Sequence, residues 1–227
     1  MKNPDSGQPK KGKSIEEIKK ITRSLEKIPL LKVRDKIFLV LILTGSKKAS
    51  DVYISAGASA GEIKELEAEI KRAGLVFKLT DRTIEDKDNR LISKRVCLVA
   101  VNQKDLDLFS EKWFGDQIND PTAYKKIGEM SGFPQTAIDA YDAFSNPELS
   151  QAERDESRNL IYSEAEKIEK LKNEPEVIPF ATLFYMSKAH FDSEVETARK
   201  WAKEINAASP ILLNMFISEY KSENKKI

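Results

Sequence analysis

Seven consecutive apolar residues, Ile37 to Leu43 in "RDKIFLVLILTG", constrain the fold more than any other feature of the chain. A segment with no polar side in either a helical or a strand period offers no face to water, so other elements must enclose it. The run is far shorter than the roughly 20 residues that span a bilayer, and no membrane association is expected from it. Asp35 as N-cap and Gly45 just past the end suit a short buried helix over 36–44. The apolar run by itself would equally suit a central strand, but the capping signals favour the helix.

What surrounds this segment has to come from the rest of a 227-residue chain, long enough for one large domain or two small ones sharing a core. Hydrophobic residues at 40% and charged residues at 33% describe an ordinary globular protein. The net charge of +1 conceals an asymmetry. Residues 1–50 hold 13 Lys/Arg against 5 Asp/Glu, whereas residues 101–180 hold 9 against 17. Opposite poles of this kind attract a partner or each other.

Cys97 is the only cysteine, which excludes an intramolecular disulfide and a multi-cysteine zinc site. His190 is the only histidine, which excludes any site built on two imidazoles, the HExxH zinc helix included. No cofactor and no metal is indicated. The first thirteen residues, "MKNPDSGQPKKGK", lack the apolar stretch of a signal peptide, so the expected location is cytoplasmic.

Those thirteen residues are Lys-, Pro- and Gly-rich and read as a flexible basic tail. Ser14 opens a helix with Glu17 completing a capping box, and Ile15, Ile18, Ile21, Leu25 and Ile28 recur at helical spacing as far as Pro29. Beyond the apolar run, Asp51–Ser55 reads as a strand and Ala56–Glu62 as a Gly-bearing loop. A helix carrying Ile63, Leu66, Ile70 and Ala73 then stops at Gly74. Leu75–Asp81 and Ser93–Val101 read as a hairpin around the charged turn Thr83–Arg90. After Asn102 every signal is helical. Leu106, Leu108, Phe109 and Trp113 mark one helix, Asp120-Pro121 to Gly132 bounds another, and Pro134 starts a third. Asn146-Pro147-Glu148 starts a long acidic helix reaching about Lys172. Two final helices run over Glu194–Asn206 and Pro210–Tyr220, and "KSENKKI" is expected to fray.

Among the motifs, Ala123–Phe144 has the outline of a helix-turn-helix, with Ile127, Phe133, Ile138 and Tyr141 where such units bury apolar residues. Its chemistry does not fit DNA. A recognition helix needs donors for base edges, yet the second helix offers Gln135, Thr136, Asp139 and Asp142, with no Arg or Lys between Lys126 and Arg154. The expectation is a helical hairpin with Ile127, Ile138, Tyr141 and Phe144 packed inside. Any nucleic-acid contact is assigned instead to the basic N-terminal segment. The loop "SAGASAGE" matches neither dinucleotide nor P-loop glycine patterns, and Ser59 with Glu62 forms a capping box there. His190 is expected to be a partly buried structural histidine, Cys97 an inert core thiol, and Glu153, Asp155 and Glu156 a solvated helix face.

The stretch "GEMSGFPQTAIDAYDAF", Gly128 to Phe144, resembles a family of uncharacterised prokaryotic proteins with a Gly-Tyr-Pro-x-Cys-Cys motif. A later Pro-Phe segment and a closing helix are also similar, over Ile178–Tyr220, so the resemblance covers roughly the C-terminal half. Gly132 and Pro134 match the motif, and Phe133 replaces its tyrosine. Thr136 and Ala137 stand where the cysteines belong, so no metal or redox role carries over. The resemblance implies a helical packing corner and no activity.

Together these readings give an α+β fold. A small three-stranded α/β part, with its helical lead-in over 14–102, packs against a helical part over 103–221, either as a separate part or as one continuous domain with it, with a frayed tail over 222–227. The function expected first is a non-catalytic binding or regulatory module. A nucleic-acid binder using the basic N-terminal segment comes second, and an enzyme whose site assembles from residues distant in sequence third.

Overall fold

The computed structural model describes residues 13–85, 93–114, 122–145 and 149–224. It is an α+β fold, with eleven helices and one three-stranded sheet among the described residues. Ser14 accepts from the Glu17 N–H and the Glu17 carboxylate takes the Ser14 N–H, so a complete capping box opens α1 (Ile15–Glu26). The apolar run is helical, as α2 (Val33–Leu43), and every residue from Asp35 to Leu43 is buried. The N-cap is Lys32, not Asp35. Asp35 sits one turn further in, because the helix begins before the apolar run does. Gly45 follows the C-cap Thr44 with φ +83°, the left-handed turn read from the sequence.

Next come β1 (Ala49–Ser55), α3 (Ala60–Arg72), β2 (Val76–Glu85) and β3 (Ser93–Ala100). The strand order is β1-β3-β2 and both pairings are antiparallel, with Val52 opposite Cys97 and Leu79 also opposite Cys97. Part of the expected charged turn is strand, since Thr83 to Glu85 pair with Arg95 to Ser93 beyond an irregularity after Leu79; residues 86–92 lie outside the described residues.

Side chains alternate across the sheet with a period of two. Val52, Ile54, Cys97 and Val99 join the main core, while Ala49, Val96, Leu98 and Ala100 join a smaller one on the other face. The smaller core is closed by Leu106 and Phe109 of α4 (Gln103–Phe114) and by Met130, the last residue of α5 (Thr122–Met130). The expected cap at Asp120-Pro121 lies outside the described residues. Gly132 turns the chain with φ +74° into α6 (Gln135–Ser145), completing the helical hairpin.

The long acidic helix is two helices, α7 (Gln151–Asn159) and α8 (Glu164–Lys170). The interruption has a local cause. Ser163 and Glu166 form their own capping box, and Ile161 pairs with Ser187 as an isolated bridge. A single turn, α9 (Ile178–Ala181), lies inside the Pro-Phe segment. It leads to α10 (Phe191–Ala208) and α11 (Pro210–Glu223), which runs into the stretch expected to fray. The main core gathers Leu25, Ile37 to Leu43, Ile70, Phe180, Trp201 and Leu212, so both halves of the sequence build it. Among the described residues no helix is long and apolar enough to cross a membrane.

Candidate functional site

The first turn of α2 carries Lys32, Arg34 and Asp35 to the edge of the sheet beside Tyr53 of β1. Asp35 is 3% exposed. Burial, with the nearby Asp51 charge, pushes its carboxyl up to about 7 against the pull of Arg34 and the backbone N–H groups of Tyr53 and Lys32. The side chain thereby ties the N-terminus of α2 to strand β1. Tyr53 donates its hydroxyl to Asp51, and burial together with that carboxylate raises its proton affinity.

This corner opens into a cleft of about 770 Å³. Two groups of elements form it, and their charges segregate. The α2 and sheet side brings Lys32, Arg34 and Lys94, with the buried Asp35 beside them; the α8 and α11 side brings Glu164, Glu219 and Glu223. Ile84, Pro179, Leu183 and Phe216 supply apolar lining. The Tyr220 hydroxyl donates to Glu164 Oε1 at 2.9 Å, which fixes one carboxylate of the acidic side. Burial and the charge of Glu223 raise the proton affinity of Glu219, with Lys32 acting in the opposite sense. Arg34 is exposed and makes no ion pair among the described residues; its guanidinium carbon lies 5.1 Å from the centroid of the Phe38 ring.

The Phe38 ring also contacts Lys47, a residue only 2% exposed. Lys47 Nζ lies 4.6 Å from the Phe38 centroid, 4.8 Å from that of Phe133 and 4.7 Å from that of Trp201. It donates to the Ser131 carbonyl at 2.6 Å. Burial pushes it down to about 7, with Asp51 resisting and Arg34 assisting the fall. Around it the hairpin corner docks on the loop after α2. The Lys48 N–H donates to the Met130 carbonyl, and a Cβ on Gly132 would collide with the Ser46 carbonyl oxygen. The Gly-Phe-Pro turn is thus a packing corner. Ile138 is buried in it and Ile127 and Tyr141 are half-buried; the Phe144 side chain lies outside what the structure describes.

The residues singled out by sequence do not meet at the cleft. His190 is exposed, contrary to expectation: it stands at the N-cap of α10 and contributes its carbonyl, which accepts from the Glu194 N–H and the Ser193 hydroxyl. Cys97 is buried, and burial raises its thiol to about 12. Ser59 and Glu62 form the expected capping box for α3. Glu153 caps α7 with Ser150, Asp155 accepts from Gln151, and both are exposed, as is Glu156. Among the described residues no three His, Cys, Asp or Glu side chains gather as metal ligands. Sequence reasoning missed Arg34, Tyr53, Glu164, Glu219 and Lys47 altogether. The uneven charge along the chain pointed to them only in part: Lys32 and Arg34 belong to its basic start and Glu164 to its acidic middle, whereas Lys94, Glu219 and Glu223 lie in neither.

Comparisons with protein-family models, with curated proteins and with solved structures find no match to this chain.

Proposed function

We propose that the protein is a non-catalytic binding module and that its ligand is a small polar molecule held in the cleft between α2 and α11. The observation that carries this reading is the cleft itself: about 770 Å³, lined by charges of both signs and by apolar side chains. Ligand sites for small molecules have this size and this mix of apolar lining with a few placed polar groups. The titratable groups at its base favour holding over reacting. Asp35 is engaged by two backbone N–H groups and the Tyr53 hydroxyl by Asp51, whereas a general base must reach a substrate proton.

A thermal-shift screen of small polar metabolite-like compounds, run on the wild type and on Arg34→Ala, tests this. A ligand at a hundred times its Kd stabilises the fold by about 2.7 kcal/mol, a readily measured rise in Tm. Hits that lose their effect in Arg34→Ala are expected. A screen without hits, or hits indifferent to substitutions at Arg34, Glu164 and Glu219, would overturn the reading.

A further inference from the structure

The division of charge within the cleft narrows the ligand class. We infer that the cleft accepts a zwitterionic ligand, a short peptide with both termini free, its carboxylate toward Arg34 and its ammonium toward Glu219 and Glu223. This rests on the cleft being the ligand site.

Each half of the assignment has its own support. On the basic side, Lys32 and Arg34 come from the N-terminus of α2 and Lys94 from β3; Arg34 acts on the buried Asp35 but makes no ion pair among the described residues. A guanidinium in that condition is matched by a carboxylate, which it can bind through two parallel N–H···O bonds. On the acidic side, Glu219 and Glu223 are one helical turn apart on α11, and burial first, then the charge of Glu223, raises the proton affinity of Glu219 against the pull of Lys32. An ammonium placed between them relieves that repulsion. A ligand of single sign would gain from one set of groups and be opposed by the other, whereas a molecule carrying both charges can meet each.

Size and apolar lining exclude the smallest such ligands. Pockets of about 300–1,000 Å³ suit drug-sized molecules rather than a lone amino acid, and this one lies in the upper part of that range. Ile84, Pro179, Leu183 and Phe216 provide apolar surface in the cleft for the side chains of such a ligand. A peptide of a few apolar residues fills that description.

Calorimetric titration of the full chain with trileucine, its N-acetyl form, its C-terminal amide and the doubly blocked form tests the inference. The free peptide should bind, and each single block should weaken binding at least tenfold. Arg34→Ala should abolish the effect of amidation, and the Glu219→Gln/Glu223→Gln pair the effect of acetylation. In the wild type, peptide-induced amide shifts should centre on residues 32–35, 53, 164 and 219–224, a readout that needs no variant. Equal binding of free and blocked peptides sinks the zwitterion. So does absence of peptide binding while other polar compounds still perturb the same amides, although the cleft then survives as a site. If no compound perturbs those amides, both this inference and the binding reading fall.

Discussion

Lys47 holds the carbonyl of Ser131, 84 positions further along the chain, with a 2.6 Å hydrogen bond made inside a ring of aromatic side chains. The bond joins the loop after α2 to the corner between α5 and α6. An ammonium this deeply buried is costly to keep charged, and the surrounding ring faces offset only part of that.

Replacing Lys47 should separate packing from charge. Lys47→Ala removes the side chain and leaves a buried carbonyl without a donor, and should destabilise the fold by about 3–5 kcal/mol in urea unfolding. Lys47→Met keeps the volume and removes the ammonium, and should cost clearly less. Equal losses in the two variants would show that the hydrogen bond, not the packing, dominates.

Asp35 and Lys47 should together contribute a dip in stability near neutral pH. Asp35 has its folded value raised to about 7 from 3.8, so between those values the folded state binds more protons and stability falls as pH rises. Lys47 has its folded value lowered to about 7 from 10.5, so between those values the unfolded state binds more protons and stability rises with pH. Lys167, lowered to about 8 by burial, adds to the alkaline limb. Each full displacement is worth on the order of 4 kcal/mol, an upper figure. Unfolding measured from pH 4 to 10 should trace the dip, with Asp35→Asn flattening the acid limb and Lys47→Met the alkaline one. A maximum at pH 7 would contradict the assignment of both groups.

Gly132 and Gly45 both have positive φ, but only one of them has a neighbour in the way. A Cβ at Gly132 would meet the Ser46 carbonyl, while at Gly45 it finds nothing within 4 Å. Gly45→Ala should therefore cost about 1–2 kcal/mol, the backbone penalty alone. Gly132→Ala should exceed it by at least about 1 kcal/mol, because backbone must move as well. Chemical denaturation of the two variants side by side decides it.

Gly128 and Ile138 should couple. A Cβ on Gly128 would lie 2.8 Å from Ile138 Cγ1, too close to be accommodated unmoved. Ile138→Ala alone should cost about 2–4 kcal/mol as a cavity, and Gly128→Ala alone about 1–3 kcal/mol as a clash. Together they should cost markedly less than the sum, since the new methyl enters the vacated space. Additive losses would mean that the hairpin closes differently.

Cys97 should resist thiol reagents until the protein unfolds. Burial raises its thiol to about 12, so almost no thiolate exists at neutral pH. Labelling should accelerate only across the urea transition; fast native labelling would place the side chain in solvent.

Much of the fold could be read because helix ends are written locally. Ser14 with Glu17 and Ser59 with Glu62 fall where their side chains meet backbone N–H groups three residues away, and the structure has both boxes. Ser163 with Glu166 was equally legible, but the acidic helical pattern runs on through it and masks the break. The cleft and the Lys47 contact were not legible, for a different reason. Arg34 and Glu219, or Lys47 and Ser131, become neighbours only through packing of distant elements, and no local period records that a lysine will be buried.

Helix α2 carries a consequence for the order of folding. Its residues from Asp35 to Leu43 are all buried, and among the elements against it are α10 and α11, made roughly 150 residues later in synthesis. Until residues 191–223 leave the ribosome, the most water-averse segment of the chain lacks those covers. At about 5–20 residues per second that interval lasts on the order of ten seconds, long compared with the microseconds in which the helix itself forms. The nascent chain therefore passes through a prolonged stage in which a chaperone or the early helix α1 must shield Ile37–Leu43, and the rate of translation, not of helix formation, sets how long that exposure lasts.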